Sequence, residues 1–514
     1  MSTPRRGRDR QAVTIPAPPG RDRITGPPPR VAVLGGGIAG LAAATGLVER
    51  GVHVTLYERA PVLGGRLAGW PDRLADGSAA TMSRGFHAFF RQYYNLRGLL
   101  RRADPTLAML RPLPDYPLRH RDGAHDGFAH LPRVPPWNAL ALAALSPSFP
   151  PRELAALDLR AALPLLDIRV PDVYRRLDGT SAADLLDRIR FPAAARHLAF
   201  EVFSRSFFAD PRQLSAAEMA LMFHIYFLGS SEGLLFDVPA EPFPRALWEP
   251  LARYLVGHGL TPRTGTAAHA VRPAGPHPHD GLDVLTDDGT HRHDAVVLAL
   301  DTAGLRGIAA HSPRLGDAAW RDRLRRLRTA PPFLVSRLWL DRPLAHHRPG
   351  FLGTAGYDGL DNISVLDRWE GEAARWAART GGSVVELHAY AVDPAADRAA
   401  TQARLLAAAR TVYPETAAAR VLDARHLWRD DCPLFPVDGY RDRPTVTTPD
   451  PRVVVAGDLV RAPLPVALME RAATTGLLAA NTLLARWGVR GHPLWTVPRT
   501  GRSAALRAMA YAAH

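Results

Sequence analysis

Four consecutive apolar residues, Val31–Leu34, open the first patterned stretch of the chain. This run is strand length, and a glycine turn from Gly35 to Gly40 follows it directly. Leu41 to Arg50 then reads as a helix, and His53–Glu58 (HVTLYE) as a second strand. Between residues 110 and 245 helix signals dominate. Ser215-Ala216-Ala217-Glu218 has the form of a capping box, in which the first and fourth side chains satisfy each other's backbone N–H. The next segment, MALMFHIYFL, is apolar nearly all round and ends at Gly229, so it predicts a helix that is buried or lines an apolar cavity. Strand patterns then prevail at Val284–Thr286, Ala295–Leu300, Phe333–Leu340, Ser383–Ala391 and Val453–Ala456. Ala274–Asp280 and Asp393–Ala400 are compositionally biased and read as loops. Residues 1–30 read as a disordered basic arm. Arg5, Arg6, Arg8, Arg10, Arg21, Arg23 and Arg30 lie there among prolines and glycines, as a solvated tail or a means of attraction to a membrane. No repeat is visible. The order of elements predicts an α/β fold carrying a second domain as insertions.

Composition narrows the class. The chain has 514 residues, 46% hydrophobic and 22% charged, which is a globular balance. No apolar run approaches the ~18 residues of a membrane span, and the N-terminus shows no secretory h-region. Cys432 is the single cysteine, which excludes an internal disulfide and a multi-cysteine metal site and fits a reducing cytoplasm. Net charge is +14, and all of the Lys+Arg total is arginine, because the chain contains no lysine. Such charge favours nucleic acid or an anionic membrane. No nucleic-acid motif accompanies it, and no metal site is expected.

The chemistry enters with Gly35, Gly37 and Gly40, a G-x-G-x-x-G between strand and helix. The first glycine permits the tight turn, the second lets the backbone approach a pyrophosphate, and the third lets the helix pack on the sheet. Ile38 and Ala39 open the helix, whose free N–H groups and positive dipole face the phosphates. Glu58 ends the second strand about 20 residues on, where a carboxylate accepts from a ribose hydroxyl. Together these elements predict a dinucleotide site. The segment that follows, Glu58-Arg59-Ala60-Pro61-Val62-Leu63-Gly64-Gly65-Arg66, resembles the G-G-R segment of the amine oxidase and carotenoid desaturase superfamily, which binds FAD. There the glycines pass close to the dinucleotide and the arginine contacts it. Near the C-terminus, RVVVAGDLVRAPLPVALMERAATTGLLAAN resembles the same superfamily's closing FAD motif. The resemblance implies that Gly457 and Asp458 meet the ribityl or pyrophosphate region. It also implies that a helix starting near Leu464, with Val466 to Met469 at its tip, points at the flavin pyrimidine ring and favours the reduced flavin. In GTAAHAVRP, Val271 takes the place of the adenine contact. The family's common E-G-A reads Glu470-Arg471-Ala472 here, a departure. The implied architecture is a Rossmann-like FAD-binding domain of the GR2 flavoprotein type, formed by 31–110, 245–310 and 440–490. An α+β substrate domain, 111–244 and 311–439, is inserted into it, and 491–514 form a C-terminal tail.

Arg84–Leu100 (RGFHAFFRQYYNLRGLL) resembles plant-type phytoene and ζ-carotene desaturases. Glu201–Pro239 resembles the actinobacterial carotene desaturase/methyltransferases of the isorenieratene-synthase type. That subgroup is taken to desaturate a carotene β-ring, move a C1 methyl to C2 and leave an aromatic ring. Such chemistry needs a hydride acceptor, a dry cavity and a place for a proton, with no catalytic triad or metal. Arg84, His87 and Glu232 are the catalytic candidates. His87 either assists proton loss or is structural, and Glu232 and Asp237 serve either as bases or as caps and ion-pair partners. His224 reads as a core residue. Phe203, Phe207, Phe208, Phe223, Tyr226 and Phe227 either line a polyene tunnel, stabilising a cation by their faces, or are plain core. Val134–Val170, with apolar clusters, Trp137 and flanking arginines, is either a monotopic patch or a buried helix pair. The expected partners are a carotenoid drawn from a membrane, the lipid surface itself, and quinone or oxygen as electron acceptor. The expected location is cytoplasmic and peripheral to the membrane. Three rivals stay open. An amine oxidase of this fold typically keeps a lysine near the flavin, which this chain lacks. A lipid-binding escort protein would lose the flavin contacts that Glu58, Arg66 and Asp458 retain. An acyclic desaturase or isomerase is the third.

Overall fold

Five short strands from three separate stretches of chain meet in one parallel sheet. Their order across it is Leu260–Thr264, His53–Glu58, Arg30–Leu34, Ala295–Leu298 and Val453–Val455. Central parallel strands are covered on both faces and so read as unbroken apolar runs, as Val31–Leu34 does, with no residue exposed. The structure is a computed structural model that describes residues 9–199, 207–275, 277 and 280–512. On one face of the sheet the helix Ile38–Val48 packs along the helix Leu468–Arg486. Their backbones approach so closely that a Cβ on Gly476 would lie 2.3 Å from the Ala39 carbonyl oxygen, and one on Gly46 2.7 Å from Ala480. An antiparallel meander, Ala268–Pro273, Leu282–Thr286 and Gly289–His293, joins the sheet through Tyr57, whose hydroxyl meets His293 at 3.1 Å.

The second body is a seven-stranded sheet. Its order is Val421–Arg429, Phe333–Leu340, Ser383–Ala389, Asn362–Val365, Phe351–Ala355, Leu118–His120 and His125–Asp126. All pairs are antiparallel except Phe351–Ala355 with Leu118–His120. The helix Arg398–Val412 covers one face over Leu334, Leu338, Val385 and Leu387. Its first turn takes in Arg398–Ala400, where the sequence reads as loop, because Asp397 caps it by accepting from the Ala400 N–H at 2.6 Å.

Two further sequence readings are corrected. Residues 9–30 are not a disordered arm. Val13–Ile15 pairs with Leu494–Thr496, and Asp9 holds Arg502 at 2.7 Å and the Ser231 N–H at 2.6 Å. An arginine-rich segment becomes ordered here because the other end of the chain supplies a strand edge. Arg5, Arg6 and Arg8 lie outside the described residues. The capping box forms only in part: Ser215 accepts from the Ala217 N–H, but Glu218 turns away to bond Tyr174, Arg443 and Arg471. Two buried guanidinium groups outbid one N–H for a buried carboxylate. The apolar helix is present as Ala216–Phe223, continues in wider turns over His224–Leu228, and ends at Gly229. His224 is fully buried and bonds the Pro498 carbonyl at 2.8 Å, a core role.

Candidate FAD and substrate site

The two bodies share one cavity of about 680 Å3, which runs from the glycine turn to an aromatic chamber. At its dinucleotide end Gly35 has φ +107°, and a Cβ there would lie 2.3 Å from the Ala299 carbonyl oxygen. A Cβ on Gly40 would lie 1.9 Å from the Gly35 carbonyl oxygen, so strand and helix meet only through glycine. The helix Ile38–Val48 begins at Gly37 with no side-chain cap, which leaves first-turn N–H groups for a ligand. Gly65 lies against Gly37: a Cβ on it would be 2.9 Å from the Gly37 Cα. Two stretches of bare backbone thus form a cradle that fits a pyrophosphate. Glu58 sits at the strand end, accepting from Gly36 N–H at 2.7 Å and Ala60 N–H at 2.8 Å. Arg59 pairs with Asp301 at 3.0 Å at the rim.

From the far end of the sequence come Gly457 and Asp458. Asp458 pairs with Arg66 at 2.5 Å, which ties the G-G-R segment to the C-terminal motif across the site. Leu468 and Met469 begin the long helix and line the cavity. Leu468 has φ +51°, an unfavourable conformation for a leucine, at the point where an uncapped helix start faces the chamber. Three positions depart from the sequence reading. The long helix starts at Leu468, later than the Leu464 expected. Val466 does not line the cavity; its carbonyl accepts from Arg471 Nε at 2.9 Å. Val271 is likewise withdrawn, its N–H donating to Ser312 Oγ at 2.9 Å, while Ala267, Ala268 and His269 of the same segment reach the wall.

Of the catalytic candidates, Arg84 and His87 line the chamber. Arg84 pairs with Asp431 at 2.5 Å, a partner that no motif announces. His87 Nδ1 meets the Gly85 carbonyl at 3.0 Å, and enclosure by protein pushes its imidazole down to about 4. The ring is therefore neutral at ordinary pH, with Nε2 as its acceptor nitrogen. Glu232 is corrected. It lies off the cavity, accepting from Tyr94 hydroxyl at 3.0 Å and the Asp9 N–H at 3.1 Å, so it anchors the N-terminal segment. Asp237 is bound by Arg97 at 2.6 Å and Arg91 at 3.2 Å, a structural ion pair. Phe207, Phe208 and Tyr226 line the chamber; Phe223 and Phe227 stack on each other outside it. Phe203 and the stretch 201–206 lie outside the described residues. Tyr390, Asn362 and Asp361 also reach the wall, and the sequence singles out none of them.

The departure at Glu470-Arg471-Ala472 also has a structural reason. Arg471 is buried, donates to the Asp458 carbonyl at 3.1 Å and pairs with Glu218 at 2.7 Å. Glu470 caps the helix Tyr94–Leu100, accepting from Asn95 N–H and Leu96 N–H at 2.8 and 2.9 Å.

A glycine cradle on a parallel sheet, closed by a C-terminal helix and opening on a second domain, is the site of an FAD-dependent oxidoreductase. The chain belongs to the flavin-containing amine oxidoreductase family, whose pattern matches residues 38–484. It is 70% identical over 506 residues to a carotenoid phi-ring synthase of Streptomyces griseus, covering 98% of this chain and 97% of that protein. It is 27% identical over 591 residues to a carotenoid phi-ring synthase of Chlorobaculum tepidum, covering 92% and 91%. A solved putrescine oxidase shares the fold, with a TM-score of 0.64 at 16% identity over 89% of this chain and 99% of that one.

Proposed function

We propose that the protein is an FAD-dependent carotene desaturase that aromatises β-rings with a C1-to-C2 methyl shift. One observation carries the reading: the dinucleotide cradle opens directly into a chamber walled by Phe86, Phe90, Tyr116, Phe207, Phe208 and Phe351. A hydrocarbon ring offers no group for hydrogen bonding, and these aromatic side chains can meet it through their ring faces. The 70% identity to the Streptomyces enzyme supports the same substrate class. When bound, FAD supplies the hydride acceptor for an allylic C–H bond. The chain's residues do the rest. Phe86 stacks on Phe351 with centroids 4.2 Å apart, and Tyr116 and Phe236 close round them. Such faces stabilise a delocalised cation and keep water from quenching it. A ring cation beside a gem-dimethyl carbon takes a migrating methyl, and loss of a proton then forms a double bond.

The same reading assigns a membrane-facing surface. Val134, Trp137, Leu140, Leu145 and Leu159 are each more than half exposed. Trp137, Leu140 and Leu145 share a stripe of the helix Trp137–Leu145. Among the described residues no helix is long and apolar enough to cross a membrane; on this reading the exposed apolar surface dips into one leaflet and receives carotene from it. The methyl shift is tested by feeding methyl-labelled methionine to a host whose β-carotene is already formed. The aromatic methyls are expected to stay unlabelled, and label in the ring would refute the shift.

A further inference from the structure

Glu386, His388 and Tyr390 alternate along one strand and its extension, so all three point to the same face of the seven-stranded sheet. Glu386 and His388 are buried; Tyr390 reaches the cavity wall. Arg337, on the neighbouring strand, holds Glu386 through Nε at 2.9 Å and Nη2 at 2.7 Å. Arg337 is itself fixed by the Thr81 carbonyl at 2.6 Å and Ser83 Oγ at 3.1 Å. Burial alone would raise the Glu386 carboxyl, but Arg337 and His388 hold it down at about 2. An ionised carboxylate only accepts, so His388 turns its Nε2–H to Glu386 Oε2, at 3.4 Å. Its Nδ1 is then an acceptor and takes the Tyr390 hydroxyl at 3.0 Å. Asn362, also on the wall, donates Nδ2–H to the Tyr390 oxygen at 2.9 Å. Each donor in the line from Tyr390 through His388 to Glu386 thus points away from the cavity, so a proton taken up at the Tyr390 oxygen has an acceptor waiting behind it.

The Arg84–His87 segment is built round this line. A Cβ on Gly85 would lie 2.3 Å from His388 Cε1, so the imidazole is seated against bare backbone. His87, on the other side of Gly85, has no carboxylate bonded to its ring. His87 on the chamber wall and His388, buried behind Tyr390, thus lie on either side of Gly85, and of the two only His388 is bonded to a carboxylate.

We propose that Tyr390 is the catalytic acceptor of the proton shed by the substrate's ring cation, with His388 and Glu386 as positioning residues that draw off the phenolic proton. This rests on the desaturase reading above. In the step, a ring C–H bond breaks and its electron pair becomes the new double bond. The proton bonds to the Tyr390 oxygen while the hydroxyl proton passes to His388 Nδ1. The imidazolium so formed faces the Glu386 carboxylate. Nothing is oxidised or reduced in this step, since bound FAD would supply the hydride acceptor for the C–H cleavage that precedes it. After product leaves, His388 returns its proton through Tyr390 to incoming water. A cation is acid enough that a phenol backed by an imidazole suffices as base.

The test uses the FAD-loaded enzyme and β-carotene in phosphatidylcholine vesicles. Tyr390→Phe is expected to lower kcat for ring aromatisation by about 100-fold or more. Flavin content, and carotene affinity read by quenching of tryptophan fluorescence, should stay within about threefold. A ring-difluorinated tyrosine at position 390 keeps the shape but makes the phenol more acidic, so kcat should change by about tenfold and its pH profile should move to lower pH. The proposal is overturned if Tyr390→Phe keeps the parent kcat, if flavin content or carotene affinity falls in step with it, or if the fluorinated residue leaves kcat and its pH profile unchanged. The parent chain separates the two claims. If it forms no aromatic ring, the desaturase reading fails and takes the relay with it. If it forms one and both Tyr390 variants match it, only the relay fails.

Discussion

Glu218 is the point where the cofactor-side helix and the apolar helix of the chamber are bound together. Its carboxylate takes Arg471 Nη2 at 2.7 Å, Arg443, and the Tyr174 hydroxyl at 3.0 Å, with all three charged groups buried. Glu218→Gln removes the charge at nearly constant shape. One guanidinium can keep the amide oxygen, while the amide NH2 faces the other and repels it. Breaking a buried pair by removing one charge costs about 3–5 kcal/mol. At about 2 °C per kcal/mol for a large chain, Tm should fall by about 6–10 °C. The double variant Glu218→Gln, Arg471→Met removes one stranded charge and should recover part of the loss. The pH dependence has a definite sign. Burial raises the Glu218 carboxyl, but Arg471 and Arg443 outweigh it and hold it below its ordinary 4.5. Its contribution is thus complete above pH 4.5 and is lost as pH falls through the lower folded value. Thermal unfolding followed by flavin fluorescence, at pH 7 and across the acid range, measures both effects. A Tm within 2 °C of the parent, roughly 1 kcal/mol, would refute the reasoning.

Arg66→Ala and Glu58→Ala should each weaken FAD binding by about 1.5–3 kcal/mol, or about 10- to 150-fold, measured by equilibrium titration, and unchanged Kd in both would displace the dinucleotide from the cradle. Acid precipitation of the holoprotein should leave flavin in the supernatant. His87, pushed down to about 4 from 6.5 by enclosure, should cost folded stability progressively from pH 6.5 to 4; His87→Gln should flatten that slope, and an unchanged slope would place the titration elsewhere. Trp137→Ser, Leu140→Ser and Leu145→Ser together remove about 3 kcal/mol of apolar insertion and should cut partition onto vesicles by about 100-fold. The parent should stay bound in about 1 M salt, where the Debye length is ~3 Å, and full release there would leave only arginine attraction.

The sequence marks the cofactor end of the site well because its constraints are local. Gly35, Gly37, Gly40 and Glu58 need each other at fixed spacing, and a strand and helix on either side confirm them. The substrate end is harder to see. Glu386, His388 and Tyr390 form a plain alternating strand, E-L-H-A-Y, which reads as core until Arg337 and Asn362 are placed beside it. Asp431 is unremarkable until the chain brings it to Arg84 over a separation of 347 residues. Glu232 and Glu218 mislead for the same reason in reverse. Each carries a local signal that a distant charged or polar group overrides: Asp9 and Tyr94 for the first, Arg443 and Arg471 for the second. Val271 fails because a strand register alone does not show which residue of the strand is turned to the cavity.

The central claim is tested most directly by expressing the chain in a host that accumulates β-carotene and identifying the pigments by mass and proton resonance. The account predicts carotenes in which one or both β-rings have become trimethylphenyl rings, with carbon count unchanged and four hydrogens lost per ring. Untouched β-carotene beside conversion of lycopene or phytoene would contradict it and make the protein an acyclic desaturase.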